Sequence, residues 1–178
     1  MKFRQLSLKD ETEAYTIHCQ TVDWLLGRKI RQWTRPVPES IFVERIERGE
    51  MFCMEVEGQI AAIVTILRQE PGCWQNELGS GTFTFISTLC TGNDYRGNNY
   101  GKALLSESIR FIESEWEMEK IYLDCVVGDQ FLPKFYHEFG FKDVAMKGIE
   151  YPTGVFEMLL MVRVSLYAFM LFLINCEF

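Results

Sequence analysis

Hydrophobic and polar positions follow two rhythms along the chain. "KFRQLS" (residues 2–7) reads as a short first strand, and "LKDETEAYTIHCQTVDWLLG" (8–27) as a helix with acidic residues in its first turn. "PESIFVERIERG" opens with Pro38 and closes with Gly49, which marks a second helix. "MFCMEVEGQIAAIVTILR" predicts two strands about a turn near Gly58, and "GTFTFISTLCT" a third, rich in aromatic and β-branched residues. Beyond a polar loop, Leu105, Ile109, Ile112 and Trp116 step by four, three and four, which predicts one buried helix face. "KIYLDCVV" is then a strand, "QFLPKFYHEF" a short helix with Pro133 tolerated near its start, and "GFKDVAM" and "GVFEMLLMVRV" two more strands.

The order is therefore β-α-α-β-β-β-α-β-α-β-β. Strands alternating with helices in the second half imply an α/β fold with a mixed sheet and helices on its faces. The expected organisation is one domain over residues 1–164 and an apolar extension over 165–178; 178 residues suffice for a core without disulfides. No repeat, low-complexity segment or Pro/Gly-rich linker divides the chain.

Residues 158–174, "MLLMVRVSLYAFMLFLI", are nearly all apolar. A spanning helix needs about 20 such residues and Arg163 is costly inside one, so packing on the sheet or on a second copy in a homodimer is expected rather than a membrane span. Cys176 is one place too late for a prenylation box. The net charge of −7 argues against nucleic acid as a partner, and is compatible with a cationic acceptor. The six cysteines show no C-x-x-C pair and no metal-type Cys/His spacing, so no metal is expected. Free thiols and the absence of a secretory pattern in "MKFRQLSLKDETEA" lead to an expected cytoplasmic location.

The candidate chemistry lies in "CTGNDYRGNNYGKALL" (90–105). A helix N-terminus presents unpaired N–H groups and the positive end of its dipole. Gly97 and Gly101, with Asn98 and Asn99 between them, let backbone approach an anion, while Arg96 and Lys102 add charge at the rim. On these residues alone, a plain turn joining strand to helix is an equal reading. A P-loop is excluded, since Arg96 stands where its first glycine belongs and Ala103 where its Ser or Thr belongs. No G-x-G pair supports a dinucleotide fingerprint.

"LCTGNDYRGNNYGKALL" resembles the acetyl-CoA signature of the GNAT superfamily of N-acetyltransferases, a strand running through [Arg/Gln]-x-x-Gly-x-[Gly/Ala] into a helix. Leu89, Arg96 and Gly101 match, as do Ala103, Leu104 and Leu105, whereas Asn99 replaces a glycine, Asn93 a frequent proline and Thr91 a frequent valine. Residues 121–144, "IYLDCVVGDQFLPKFYHEFGFKDV", resemble the family's second half-site through Phe135, Tyr136, Gly140 and Phe141. Asp129 stands seven residues before the tyrosine, where an Asn is usual. Taken alone, Tyr136 reads as a core aromatic among Phe131, Phe135 and Phe139; the two half-motifs in the family's order favour a role in the site instead.

The resemblance implies an acyl-CoA N-acyltransferase fold and acetyl-CoA as co-substrate, held by Leu89, Cys90, Thr91, Arg96, Gly97, Asn98, Asn99, Tyr100, Gly101, Lys102 and Asp129. It implies direct acetyl transfer to a primary amine, expected to be that of a small molecule. A phenol, with an unperturbed pKa of about 10, could protonate the leaving sulfur, which casts Tyr136 as general acid. Neither His18 nor His137 stands out as the base, and the sequence does not single out a carboxylate that would act through water. The alternatives are a non-catalytic acyl-CoA sensor and a protein or peptide N-acetyltransferase. Trp24, Trp33 and the cations of "DWLLGRKIRQWTRPVPES" lie where this family sets acceptor choice, or simply pack a helix–helix connection.

Overall fold

The computed structural model describes residues 1–69, 72–128, 131–151 and 154–167. Seven strands run in the order β1-β2-β3-β4-β5-β7-β6: β1 (Lys2–Gln5), β2 (Met51–Val56), β3 (Gln59–Leu67), β4 (Phe83–Thr91), β5 (Lys120–Val126), β6 (Lys142–Tyr151) and β7 (Gly154–Val164). Four helices, α1 (Glu11–Gly27), α2 (Glu39–Glu47), α3 (Tyr100–Phe111) and α4 (Phe131–His137), complete the predicted order. β4 and β5 pair in parallel, and β5–β7 and β6–β7 antiparallel, so the sheet is mixed as expected. The chain divides into two compact units, one of Met1–Ile66 with Ser87–Glu107 and one of Leu67–Ile86 with Ser108 onward.

In the first unit, β2 and β3 form the hairpin predicted at Gly58. Glu57 and Gly58 both take positive φ, +52° and +83°, as a tight hairpin turn matching the strand twist demands. Helix α1 buries Ala14, Ile17, Thr21, Val22 and Leu25 along one face, with His18 among them. Its start is fixed by Asp10, whose carboxylate accepts from the Ser7 amide at 2.8 Å and takes the forked guanidinium of Arg4 at 2.8 and 2.9 Å. Phe42 and Ile46 of α2 join this core with Met51, Ile60 and Ile63.

At its other end α1 closes with paired reverse bonds: Lys29 N–H donates to Leu26 O at 3.0 Å and Ile30 N–H to Leu25 O at 2.9 Å. That motif needs a left-handed residue, and Lys29 supplies it at φ +61° although the nearest glycine, Gly27, lies two residues earlier.

In the second unit, the buried face of α3 carries Ile109 and continues into Ile112. The run ends in a π-helical turn, Ile112–Trp116, which breaks the four-three-four step. Trp116 therefore leaves the expected buried face and is half-exposed, its ring under the Arg68 guanidinium at 4.2 Å. The apolar run from Met158 to Val164 is strand β7, bonded to β5 on one side and β6 on the other. Arg163 within it donates to Phe139 O at 2.8 Å and to the Glu113 carboxylate at 3.4 Å, while its buried Nε has no acceptor among the described residues. Ser165 is buried, its amide bonded to Glu119 O and its hydroxyl to Met118 O. Residues 168–178, most of the expected extension and Cys176 with it, lie outside the described residues. Among the described residues no helix is long and apolar enough to cross a membrane.

A left-handed lysine is strained by its Cβ. Replacing Lys29 by glycine is expected to raise stability by about 1 kcal/mol, read as a higher urea midpoint at unchanged slope.

Candidate functional site

In the first unit, the end of β4 is shaped by strain. Thr88 takes φ +50°, an outlier for a β-branched residue, with its hydroxyl 3.3 Å from that of Ser87 and 3.5 Å from the Arg45 guanidinium. Such a kink changes the direction in which the rest of the strand presents its side chains. Past Thr88, Leu89 and Thr91 are half-buried, while the side chain of Cys90 turns wholly inward.

A short 3₁₀ turn, Asn93–Tyr95, then leads into the Gly/Asn stretch. Gly97 and Asn99 both take left-handed dihedrals, φ +80° and +63°, so Asn99 adopts the conformation that a glycine would. A side chain at Gly97 would meet nothing within 4 Å, and the loop is exposed from Gly97 to Asn99. The first intrahelical bond of α3 runs from Ala103 N–H to Asn99 O at 2.9 Å, so the amides of Tyr100 and Gly101 precede it and are oriented for an anion. Gly101 has a different reason to be glycine: a Cβ there would lie 3.0 Å from Thr91 Oγ1, where helix and strand approach closely. The Asn98 side-chain amide reaches back to Tyr95 O and Arg96 O at 3.5 and 3.4 Å. These residues fit the pyrophosphate of coenzyme A: open space, two left-handed residues and helix-start amides.

Arg96 behaves differently from the rim charge expected of it. Its guanidinium folds onto α1, with Nη2 3.3 Å from Thr21 Oγ1, Nε 3.0 Å from Asn93 Oδ1, and the group 4.2 Å above the Trp24 ring. Arg28 covers the same ring at 4.6 Å. Burial pulls the Arg96 guanidinium below its ordinary pKa, and the Arg28 charge adds to this. In this conformation Arg96 anchors the loop rather than reaching out of it; Lys102 is the exposed cation of the pair.

Beneath the loop lies a line of buried polar groups. The Val37 amide donates to His18 Nε2 at 3.0 Å, so the ring proton sits on Nδ1, which faces Cys90 Sγ at 3.7 Å. Thr21 bonds the same thiol and donates to Ile17 O at 2.9 Å. Burial, with the nearby Arg45 charge, lowers the His18 pKa to about 4, and burial pushes the Cys90 thiol up to about 12. Both groups are therefore neutral at pH 7, and His18 is a structural residue.

In the second unit, Tyr136 is buried on α4, edge-on to Phe135 at 5.2 Å and to Phe141 at 6.1 Å. His137 points outward and bonds Asp143 at 2.7 Å, which accounts for it without chemistry. Asp129 lies outside the described residues.

The second unit also holds an arrangement that the motifs did not reveal. Asp124 on β5 is the residue after the last β4–β5 pair, Ile86↔Leu123, and its Oδ2 accepts from the Nε1–H of fully buried Trp74 at 2.8 Å. Lys147 of β6 lies over the Trp74 ring at 4.5 Å and pairs with Glu77 at 2.7 Å. Burial first, then Asp124 and Cys73, pushes the Tyr151 phenol up to about 12. The available signal was the aspartate itself, a lone acid inside the apolar strand "KIYLDCVV". Among the described residues no group of three His, Cys, Asp or Glu side chains is arranged to hold a metal ion.

The element order and a phosphate-fitted loop between β4 and α3 define an acyl-CoA N-acyltransferase fold. The family model for the acetyltransferase (GNAT) family matches residues 9–141, and the chain belongs to that family, whose members are acetyl-CoA-dependent acetyltransferases. No curated protein matches the chain by sequence. Solved structures similar to it include the ribosomal-protein-alanine N-acetyltransferase of Brucella melitensis, at 16% identity and TM-score 0.72 over 92% of this chain and 99% of that one. The ribosomal-protein-S18-alanine N-acetyltransferase of Escherichia coli is similar at 19% identity and TM-score 0.68, over 92% and 94%. A GNAT-family acetyltransferase of Listeria monocytogenes 4b F2365 reaches TM-score 0.72 at 19% identity, again over 92% and 94%.

The His18 pKa falls from 6.5 to about 4 on folding, so the unfolded chain binds the extra proton between those values and stability drops as pH falls. Between pH 7 and pH 5 the loss from this group is about 2 kcal/mol. Urea unfolding of the parent and of His18→Gln checks it: the variant should lack that part of the acid sensitivity.

Proposed function

We propose that the chain transfers the acetyl group of acetyl-CoA to a primary amine of a small molecule, by direct attack while both substrates are bound. The observation that carries this reading is the backbone at Gly97 and Asn99, left-handed at both residues and leading into the start of α3. In it the loop from Arg96 to Lys102 holds the pyrophosphate, and the backbone of Leu89, Cys90 and Thr91 pairs with the pantetheine arm and polarises the thioester carbonyl.

Asp124 takes the proton of the attacking ammonium, directly or through water. What supports it is its place on β5, one residue beyond the paired stretch, and the bond from Trp74 that orients its carboxylate. As the C–N bond forms and the C–S bond breaks, Tyr136 donates its phenolic proton to the departing thiolate. Asp129 contributes to coenzyme A binding by resemblance. The described cysteines are free thiols, which supports a reducing, cytoplasmic setting.

A second acceptor class is favoured by the names of two similar structures, which act on ribosomal-protein alanine. In that reading the amine is a peptide N-terminus.

Calorimetry with acetyl-CoA, followed by an amine and peptide panel, tests the reading. Gly101→Asp is expected to abolish acetyl-CoA binding in a folded protein, because the new side chain meets Thr91 and brings a negative charge to the phosphate loop. Tyr136→Phe and Asp124→Asn should each lower kcat on the order of a hundredfold while acetyl-CoA binding is unchanged. Undiminished turnover in either variant removes that residue from the proton path, and a folded parent that does not bind acetyl-CoA ends the proposal.

A further inference from the structure

Lys147 is itself a primary ammonium, and the second unit holds it as a ligand would be held. Its Nζ lies 4.5 Å from the centroid of the Trp74 ring and 2.7 Å from Glu77 Oε1. An indole face and a carboxylate together make a recognition surface for an organic cation. The indole is preorganised: Trp74 is fully buried, and its Nε1–H is committed to Asp124. The occupant is not equally fixed, since the Lys147 side chain is 34% exposed on a flexible four-carbon stem and can swing to water.

Glu77 carries a second indication. Its Oε2 is buried and has no hydrogen-bond donor among the described residues. A buried carboxylate oxygen left unserved is costly, and a cation that brings N–H groups to both oxygens relieves that cost. The overall charge of −7 also draws cations toward the protein.

We propose that Trp74 and Glu77 form a subsite for the second cationic group of a diamine acceptor, and that Lys147 fills this subsite when no acceptor is bound. The inference rests on Asp124 being the carboxylate that receives the proton. Trp74 then serves both ends of the acceptor: its face carries the distal ammonium and its edge N–H orients the base that deprotonates the reacting amine. Lysine without its carboxyl group is 1,5-diaminopentane, which keeps the stem and ammonium of Lys147 and adds a second amine at Cα, so that compound is the natural probe.

The test compares three probes of one chain length with the full-length protein: 1,5-diaminopentane, pentylamine and 5-aminopentanoate, ending in a cation, a methyl group and a carboxylate. By calorimetry in the presence of coenzyme A, the diamine is expected to bind about tenfold more tightly than pentylamine, with the amino acid weakest. Glu77→Gln should erase the preference, whereas Lys147→Met should strengthen diamine binding by removing the internal competitor. Lys147→Met weakening the diamine in step with Glu77→Gln would overturn the proposal, because the pair would then merely hold the fold. Equal binding of the three probes, or preference for 5-aminopentanoate, would overturn it as well; the latter would point to the exposed cations Arg28, Lys29, Arg31 and Arg35.

Binding is read here without turnover, which separates the subsite from the acetyl transfer. A parent that prefers the diamine but acetylates nothing keeps the subsite and removes the acetyl-transfer reading. A parent that acetylates all three probes with equal efficiency keeps that reading and removes the subsite.

Discussion

A histidine buried between a helix and a sheet is tolerable only if both ring nitrogens have partners. His18 meets this condition through the Val37 amide and the Cys90 thiol, and much of the first unit is arranged around it. The first contact fixes the connection after α1; the second fixes the end of β4 against α1. Thr21, one turn further on, extends the line to Arg96 and so to the Gly/Asn loop. Polar bonds in a dry setting are directional in a way that apolar packing is not. The loop is thus seated by angle as well as by volume, and its own strained residues, Gly97 and Asn99, inherit that seat.

Most of the architecture was legible because periodicity and punctuation agreed. Pro38 and Gly49 bracketed a real helix, Gly58 marked a real hairpin, and the apolar run after Met158 separated correctly into a strand. Trp116 was misplaced because a π-helical turn leaves no mark in hydrophobic spacing. The left-handed backbone at Gly97 and Asn99 was legible because glycine and asparagine tolerate those dihedrals. The inward turn of Arg96 was not, since nothing local to the loop says that Trp24 and Thr21, more than seventy residues earlier, will be its neighbours. Asp124 was missed for a related reason. An acid in an apolar strand is a visible anomaly, but its meaning depends on Trp74, which long-range folding alone brings to it.

The two units solve different electrostatic problems. The first places Arg28 and Arg96 over one indole ring, with the exposed Lys102 and the helix-start amides of α3 close by in sequence. The second sets carboxylates and phenols among aromatic rings, where burial raises the Tyr151 pKa and keeps that phenol protonated. The chain crosses between the two units inside β4 and again inside α3.

The strand order β5-β7-β6 places the last of the described strands between two earlier ones. While the chain emerges from a ribosome, β5 and β6 exist before either has its neighbour on that side. Each then presents a row of unpaired backbone groups, of the kind that joins foreign strands when left open. The hairpin with β6 is local, with Tyr151 paired to Gly154, whereas the pairing of β7 with β5 spans α4 and all of β6. The short loop makes the β6–β7 ribbon the contact with less loop-closure entropy to overcome, and the ribbon's free edge is the one that β5 covers.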